Sequence, residues 1–196
     1  MKSLRQIWLR ARLSAASLMK DRRGIAATEF AFIVPIMLVM FFGTVEFSSG
    51  IAVDRKVTLM ARTLSDLTSQ STSVATTDLT NFFAASGAIM TPYSSTPTQA
   101  TISELYIDPS TLAARVQWSQ GAVPRAVKST VVIPAALAVG GTYLIYSEVN
   151  YVYTPAVGYV MKGGITLKDY AYTRPRQSTC VFFPTTSPLP TNCPTQ

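Results

Sequence analysis

From Ile25 to Val45 the chain is apolar almost without a break, and only Thr28, Glu29 and Thr44 bring in a hydroxyl or a charge. As a helix rising ~1.5 Å per residue, this run would be roughly 31 Å long, against a hydrocarbon core of ~30 Å. It is long enough to cross a bilayer. Beyond it a helical period continues through Val53, Val57, Met60, Leu64 and Leu67, while Asp54, Arg55, Lys56, Arg62 and Asp66 occupy other faces. One helix over about residues 25–70 is therefore expected. Its first half is apolar nearly all round and suits lipid; its second half has one apolar stripe and suits docking on a domain. Pro35 interrupts the span, where it either kinks the ladder or is one of the prolines common in membrane helices.

Residues 69–77 are rich in Ser and Thr and read as a loop. Thr77 or Asp78 then offers an N-cap to a short helix carrying Leu79, Phe82, Phe83 and Ile89, stopped by Pro92. Strand patterns follow at 101–107, at 115–119 with Val116 and Trp118 on one face, and at 128–133. The clearest strand is Tyr143 to Tyr153, with Tyr143, Ile145, Val149, Tyr151 and Tyr153 on one face and Tyr146, Glu148 and Asn150 on the other. Gly163-Gly164 turns the chain into a last strand, Ile165 to Thr173, and a proline-rich tail starts at Arg174. The expected fold is α+β: a long N-terminal helix with one face of a small antiparallel sheet packed on it.

Charge changes the picture at the N-terminus. Lys2, Arg5, Arg10, Arg12, Lys20, Arg22 and Arg23 against Asp21 give residues 1–24 a net +6, out of +7 for the whole chain. Cations placed before an apolar span set membrane orientation, so the basic balance is topological and no nucleic-acid partner is implied. The positive-inside bias puts residues 1–24 in the cytoplasm and the chain beyond about residue 47 on the far side. A mitochondrial transit peptide has a similar Arg- and Ser-rich composition, but the following apolar run fits a membrane insertion signal better. A secretory signal peptide cut near Ser48-Ser49-Gly50 stays open as an alternative.

Candidate chemistry is sparse. There is no histidine, so a Ser/His/Asp or Cys/His nucleophile is excluded, and Glu104, Asp108, Glu148 and Asp169 stand isolated along the chain. No P-loop or dinucleotide fingerprint occurs, and no enzymatic activity or cofactor is expected. Cys180 and Cys193 read as a disulfide in an oxidising compartment, with two free thiols as the alternative. Two cysteines without histidine cannot complete a four-ligand zinc site, so no metal is expected.

The junction at Gly24 is different, because several requirements meet there. A peptidase at the cytoplasmic membrane face needs a residue without a side chain, and Gly24 supplies one. Arg22 and Arg23 would hold the junction at an anionic surface. Cutting would leave Ile25 with an ammonium one helical turn from Glu29, and pairing those groups between staggered helices neutralises two charges that are costly in lipid. The alternative is that Glu29 only favours the positive end of the helix dipole. Glu46 also precedes a phenylalanine, without a glycine five residues before it, and reads as an interfacial charge.

Arg23-Gly24-Ile25-Ala26-Ala27-Thr28-Glu29-Phe30-Ala31 followed by Pro35 resembles the processing region of TadE-like pseudopilins of the tight-adherence (Flp) pilus branch of type IV pilus-related systems. Gly43 to Phe47, Glu148 to Pro155 and Arg174-Pro175-Arg176 resemble later segments of that family, more weakly. A leader of 24 residues is long against the pattern. The resemblance implies a leader at 1–24 cut between Gly24 and Ile25 by a prepilin peptidase, a transmembrane helix at 25–47, its extramembrane continuation at 48–70, and a periplasmic domain at 71–196. It also implies a single-pass anchor in a bacterial inner membrane, and a minor pilin-like component with Glu29 and Phe30 at the assembly register. Its partners would be membrane lipid, other pilins or pseudopilins, and a pilus assembly platform with its ATPase complex. The competing expectation is an unprocessed, membrane-anchored periplasmic binding or adhesion module whose Tyr-rich strand face contacts a ligand.

Overall fold

The computed structural model describes residues 23–155, 163–183 and 193–195; Arg22 and the rest of residues 1–22 lie outside them. The chain divides into two compact units, Met1–Val45 and Glu46–Gln196. A single helix, α1 (Arg23–Ser69), runs through Pro35 and contributes to both. In the first unit its side chains face outward, with Phe30 at 69% and Phe32 at 76% exposure. The helix is long and apolar enough to cross a membrane by length and composition.

The second unit is an α+β domain. After α1 come α2 (Thr76–Gly87), a 3-10 turn (Ala88–Met90), β1 (Thr98–Ile107), β2 (Ala114–Gly121), β3 (Thr130–Val131), a second 3-10 turn (Ala135–Leu137), β4 (Tyr143–Tyr153) and β5 (Ile165–Thr173). The sheet order is β3-β2-β1-β4-β5, and every pairing is antiparallel. One sheet face packs on α1: Val53, Val57, Met60, Ala61 and Leu64 join Ile102, Trp118, Ile145, Val149, Tyr151 and Tyr153 in one buried cluster. Fully burying one such aliphatic side chain contributes about 1.5–3 kcal/mol.

Hydroxyl groups fix how the helix lies. Ser147 Oγ donates to the Ala61 carbonyl at 2.6 Å and Ser65 Oγ to the Ile145 carbonyl at 3.2 Å, so β4 runs antiparallel to α1. Alongside, Thr58 donates to Asp169, and Ser65 Oγ and Thr173 Oγ1 share a hydrogen bond of 2.7 Å. The docked stripe is thus Val53, Val57, Met60, Ala61, Leu64, Ser65 and Thr68. Leu67, expected in it, is only half-buried, because Thr68 and Ser65 take the inward positions of that turn.

Three other expectations need correction. Val116 and Trp118 lie on opposite faces, since Glu104 pairs with Trp118 while the next residue, Leu105, pairs with Val116. Gln117 is the extra residue of a β-bulge, and one inserted residue reverses the alternation beyond it. Trp118 therefore reaches the α1 side, and Val116 joins Leu105, Ile107, Leu144 and Tyr146 in a second cluster on the other face. The α2 N-cap is Ala75 and not Thr77 or Asp78; Asp78 sits at the third helical position, where its carboxylate accepts the Ala75 amide at 2.9 Å. The strand expected over 128–133 shrinks to Thr130–Val131, with Lys128 at φ 68 just before it.

The central strand β1 is buried on both faces, which exceeds the half-buried pattern expected for a sheet of this kind. Where β2 ends, an added Cβ on Gly121 would stand 2.3 Å from the Ala100 carbonyl oxygen, at φ 136. Only glycine permits the two strands to approach so closely there.

Candidate functional site

Gly24, Ile25, Glu29 and Phe30 occupy the first two turns of α1. Among the described residues nothing beyond its chain neighbours and its own helix backbone lies within 4 Å of a Cβ added at Gly24, Ile25 is 59% exposed, and the Glu29 side chain is exposed. Thr28 Oγ1 donates to the Ile25 carbonyl at 2.7 Å, a back-bond within the same turn. Among the described residues, no hydrogen bond or ion pair engages Glu29. The junction is thus an accessible backbone followed, one turn on, by a carboxylate open to a partner from outside the chain. Arg23 opens the helix, and Arg22 falls outside the described residues.

Cys180 and Cys193 form a disulfide with their Cα atoms 5.9 Å apart. The segment before it works as a strap across the end of α1. Arg176 N–H donates to the Ser69 carbonyl at 2.8 Å, satisfying one of the carbonyls a helix C-terminus leaves unpaired, and the Arg176 guanidinium pairs with Asp66. Phe182 exchanges backbone hydrogen bonds with the α1–α2 loop, donating to Thr72 O at 3.0 Å and accepting from Val74 N at 2.8 Å. Trp118 Nε1–H donates to Val181 O at 2.7 Å, while Val181 N–H donates to Glu104 Oε1 at 2.6 Å.

Glu104 is the group that sequence reasoning missed. It is fully buried, and its Oε2 has no hydrogen-bond partner among the described residues. Burial pushes its carboxyl up to about 8, against the downward pull of the Val181 amide and Trp118. The available signal was parity: Glu104 shares the inward side of β1 with Ala100 and Ile102.

The other acids lie apart from it. Glu148 receives a bidentate Arg125 at 2.6 Å, Asp169 accepts from Thr58, and Asp108 accepts the Ser110 and Thr111 amides of its own turn. Glu46, read as an interfacial charge, is buried at 2% exposure. The tyrosines expected to offer a ligand face are also buried: Tyr151 and Tyr153 belong to the α1-side core, and the Tyr143 and Tyr151 hydroxyls donate to the carbonyls of Pro194 and Ser94. Among the described residues no group of three His, Cys, Asp or Glu side chains gathers to hold a metal ion.

Architecture and junction together define a protein with a long apolar N-terminal helix, exposed over its first turns, that continues into an antiparallel α+β domain. A family model described as TadE-like protein matches residues 24–64, a stretch that lies wholly within α1 and starts at Gly24. This segment is TadE-like, as the resemblance at the junction implied. No curated protein and no solved structure matches the chain.

Proposed function

We propose that the chain is a minor pseudopilin of a tight-adherence (Flp) pilus system, anchored in the bacterial inner membrane by α1 with its α+β domain in the periplasm. A prepilin peptidase cuts after Gly24, and the protein then acts in pilus assembly and surface attachment without catalysing a reaction of its own. The observation that carries this reading is the Gly24–Phe30 junction, open at the start of a helix whose first 41 residues from Gly24 match the TadE-like family.

Physical chemistry supplies the mechanism. Cutting creates an ammonium on Ile25, and in lipid neither this cation nor the Glu29 carboxylate is cheap to leave alone. Pairing Glu29 of one helix with the Ile25 amine of a neighbour neutralises both and sets a single stagger between helices. The assembly platform and its ATPase complex would then take up helices in that register, with other pilins or pseudopilins as neighbours.

Mass spectrometry of the mature N-terminus tests the reading. Ile25 as first residue is expected, and Gly24→Ala should slow or block processing, whereas an intact leader in a peptidase-competent host would point to an unprocessed anchored module instead. Glu29→Ala should leave cleavage unchanged and abolish piliation; normal pili in that strain would remove the register mechanism.

A further inference from the structure

The β4–β5 hairpin reaches α1 at the turns that directly follow the apolar span. Gly50 faces Tyr153, where an added Cβ would stand 3.8 Å from the ring, and Phe47, Gly50, Ile51, Tyr153, Ile165 and Leu167 line one open cavity of about 300 Å³. Asp54 is the single charged residue among the described residues of that lining. Around it apolar side chains stand open: Phe47 is 68% exposed, and Ile51 and Ile165 are 43% and 42% exposed. A monomeric domain in water rarely groups its exposed apolar side chains this way.

We propose that this lip is a second membrane-contact surface, seated at the boundary between headgroups and acyl chains of the leaflet where the α1 span ends. The inference rests on the reading of α1 as a membrane span. What identifies the occupant is continuity: Phe47 and Ile51 follow the span on the same helix within two turns, so lipid is the medium they meet first. The composition matches that depth, since Phe47, Ile51 and Ile165 present exposed apolar side chains on one side of the lip with the charge of Asp54 beside them. Ile165 and Leu167 belong to a strand hydrogen-bonded to β4, so lipid contact at this lip reaches the sheet through its β5 edge.

The test is depth-resolved quenching of the full chain in phosphatidylethanolamine/phosphatidylglycerol vesicles whose acyl chains are brominated near the glycerol. In a Trp8→Phe background, with the emission of the remaining Trp118 measured in that parent and subtracted, one Trp is placed at Ile165 and, as control, at Val132, an exposed residue beside the opposite end of the sheet. Quenching at position 165 should exceed that at 132 by about threefold, and Phe47→Asp should bring the two close to equal. Flotation of the vesicles is measured in parallel. A chain that floats but shows equal quenching at both positions overturns the lip, including the case in which a second copy of the chain covers it. A chain that does not float overturns the membrane span itself, and the lip with it.

Discussion

The two halves of α1 are one continuous helix, with Pro35 in the first half unable to donate to the ladder, yet the larger difference is in what their side chains meet. Around Phe30, Phe32 and Met40 the apolar surface is turned outward over the whole circumference, while around Val57, Ala61 and Leu64 a single stripe is fully buried against a sheet. Hydrophobicity alone does not separate them; its angular distribution does. A uniform apolar surface can satisfy itself only in lipid or among identical helices, whereas a stripe beside Asp54, Lys56 and Arg62 commits the helix to one protein partner. The first half is therefore open to neighbours from outside the chain, and the second holds its stripe against the sheet.

Truncation of one leucine in each half should break this comparison most sharply. Leu64 is fully buried and Leu38 is 49% exposed. Leu64→Ala removes buried methyl groups and leaves a cavity, so the domain should lose about 4 kcal/mol, within the usual range for such sites. Leu38→Ala should leave the same unfolding transition in place. Urea titration of the detergent-solubilised protein, followed by Trp118 fluorescence, checks both. Equal losses would mean that the two halves are packed alike.

The acids sharpen the same contrast. Glu29 is exposed and open to an external partner, while Glu104 is held inside the sheet on the Val181 amide. Because burial raises the Glu104 carboxyl from its ordinary 4.5 to about 8, the folded domain keeps this proton over a range in which the unfolded chain has released it. Between those two values the native state binds more protons, so stability falls as pH rises and levels off above about 8. From pH 6 to pH 8 the expected loss is about 2 kcal/mol. Glu104→Gln retains an oxygen for the Val181 amide and has no proton to lose, so it should flatten the profile. An unchanged slope in that variant would assign the pH dependence elsewhere.

How much of this was legible in the chain follows from which signals are local. The long helix could be read to within two residues at its start and one at its end, and the strands Tyr143–Tyr153 and Ile165–Thr173 at their correct bounds, because period and turn residues mark them without tertiary help. The bulge at Gln117 could not be read. Nothing in Arg-Val-Gln-Trp-Ser departs from strict alternation, and only the pairing of β1 with β2 shows that the count slips. The junction from Gly24 to Phe30 was visible because it combines a glycine, cations and an acid at fixed spacing. The strap that holds Val181 was hidden, since its partners Glu104 and Trp118 lie about 60–80 residues away in sequence.

The smallest effect concerns one type of bond used in both halves, a hydroxyl donated to a carbonyl of α1. Thr44 Oγ1 donates to Met40 O at 2.8 Å within the helix, whereas Ser147 Oγ reaches Ala61 O at 2.6 Å from another element. The first bond links residues already neighbours on one helix, so forming it orders nothing new. The second ties β4 to the docked stripe at a fully buried position, where water cannot replace it. Ser147→Ala should therefore cost about 1 kcal/mol of domain stability, the net value of a typical buried hydrogen bond, with the Ala61 carbonyl still served by its own helix. Thr44→Ala should change domain stability by less than about 0.5 kcal/mol. If both substitutions cost the same in matched urea titrations, the docked half gains its hold from apolar packing alone and the hydroxyls add no register.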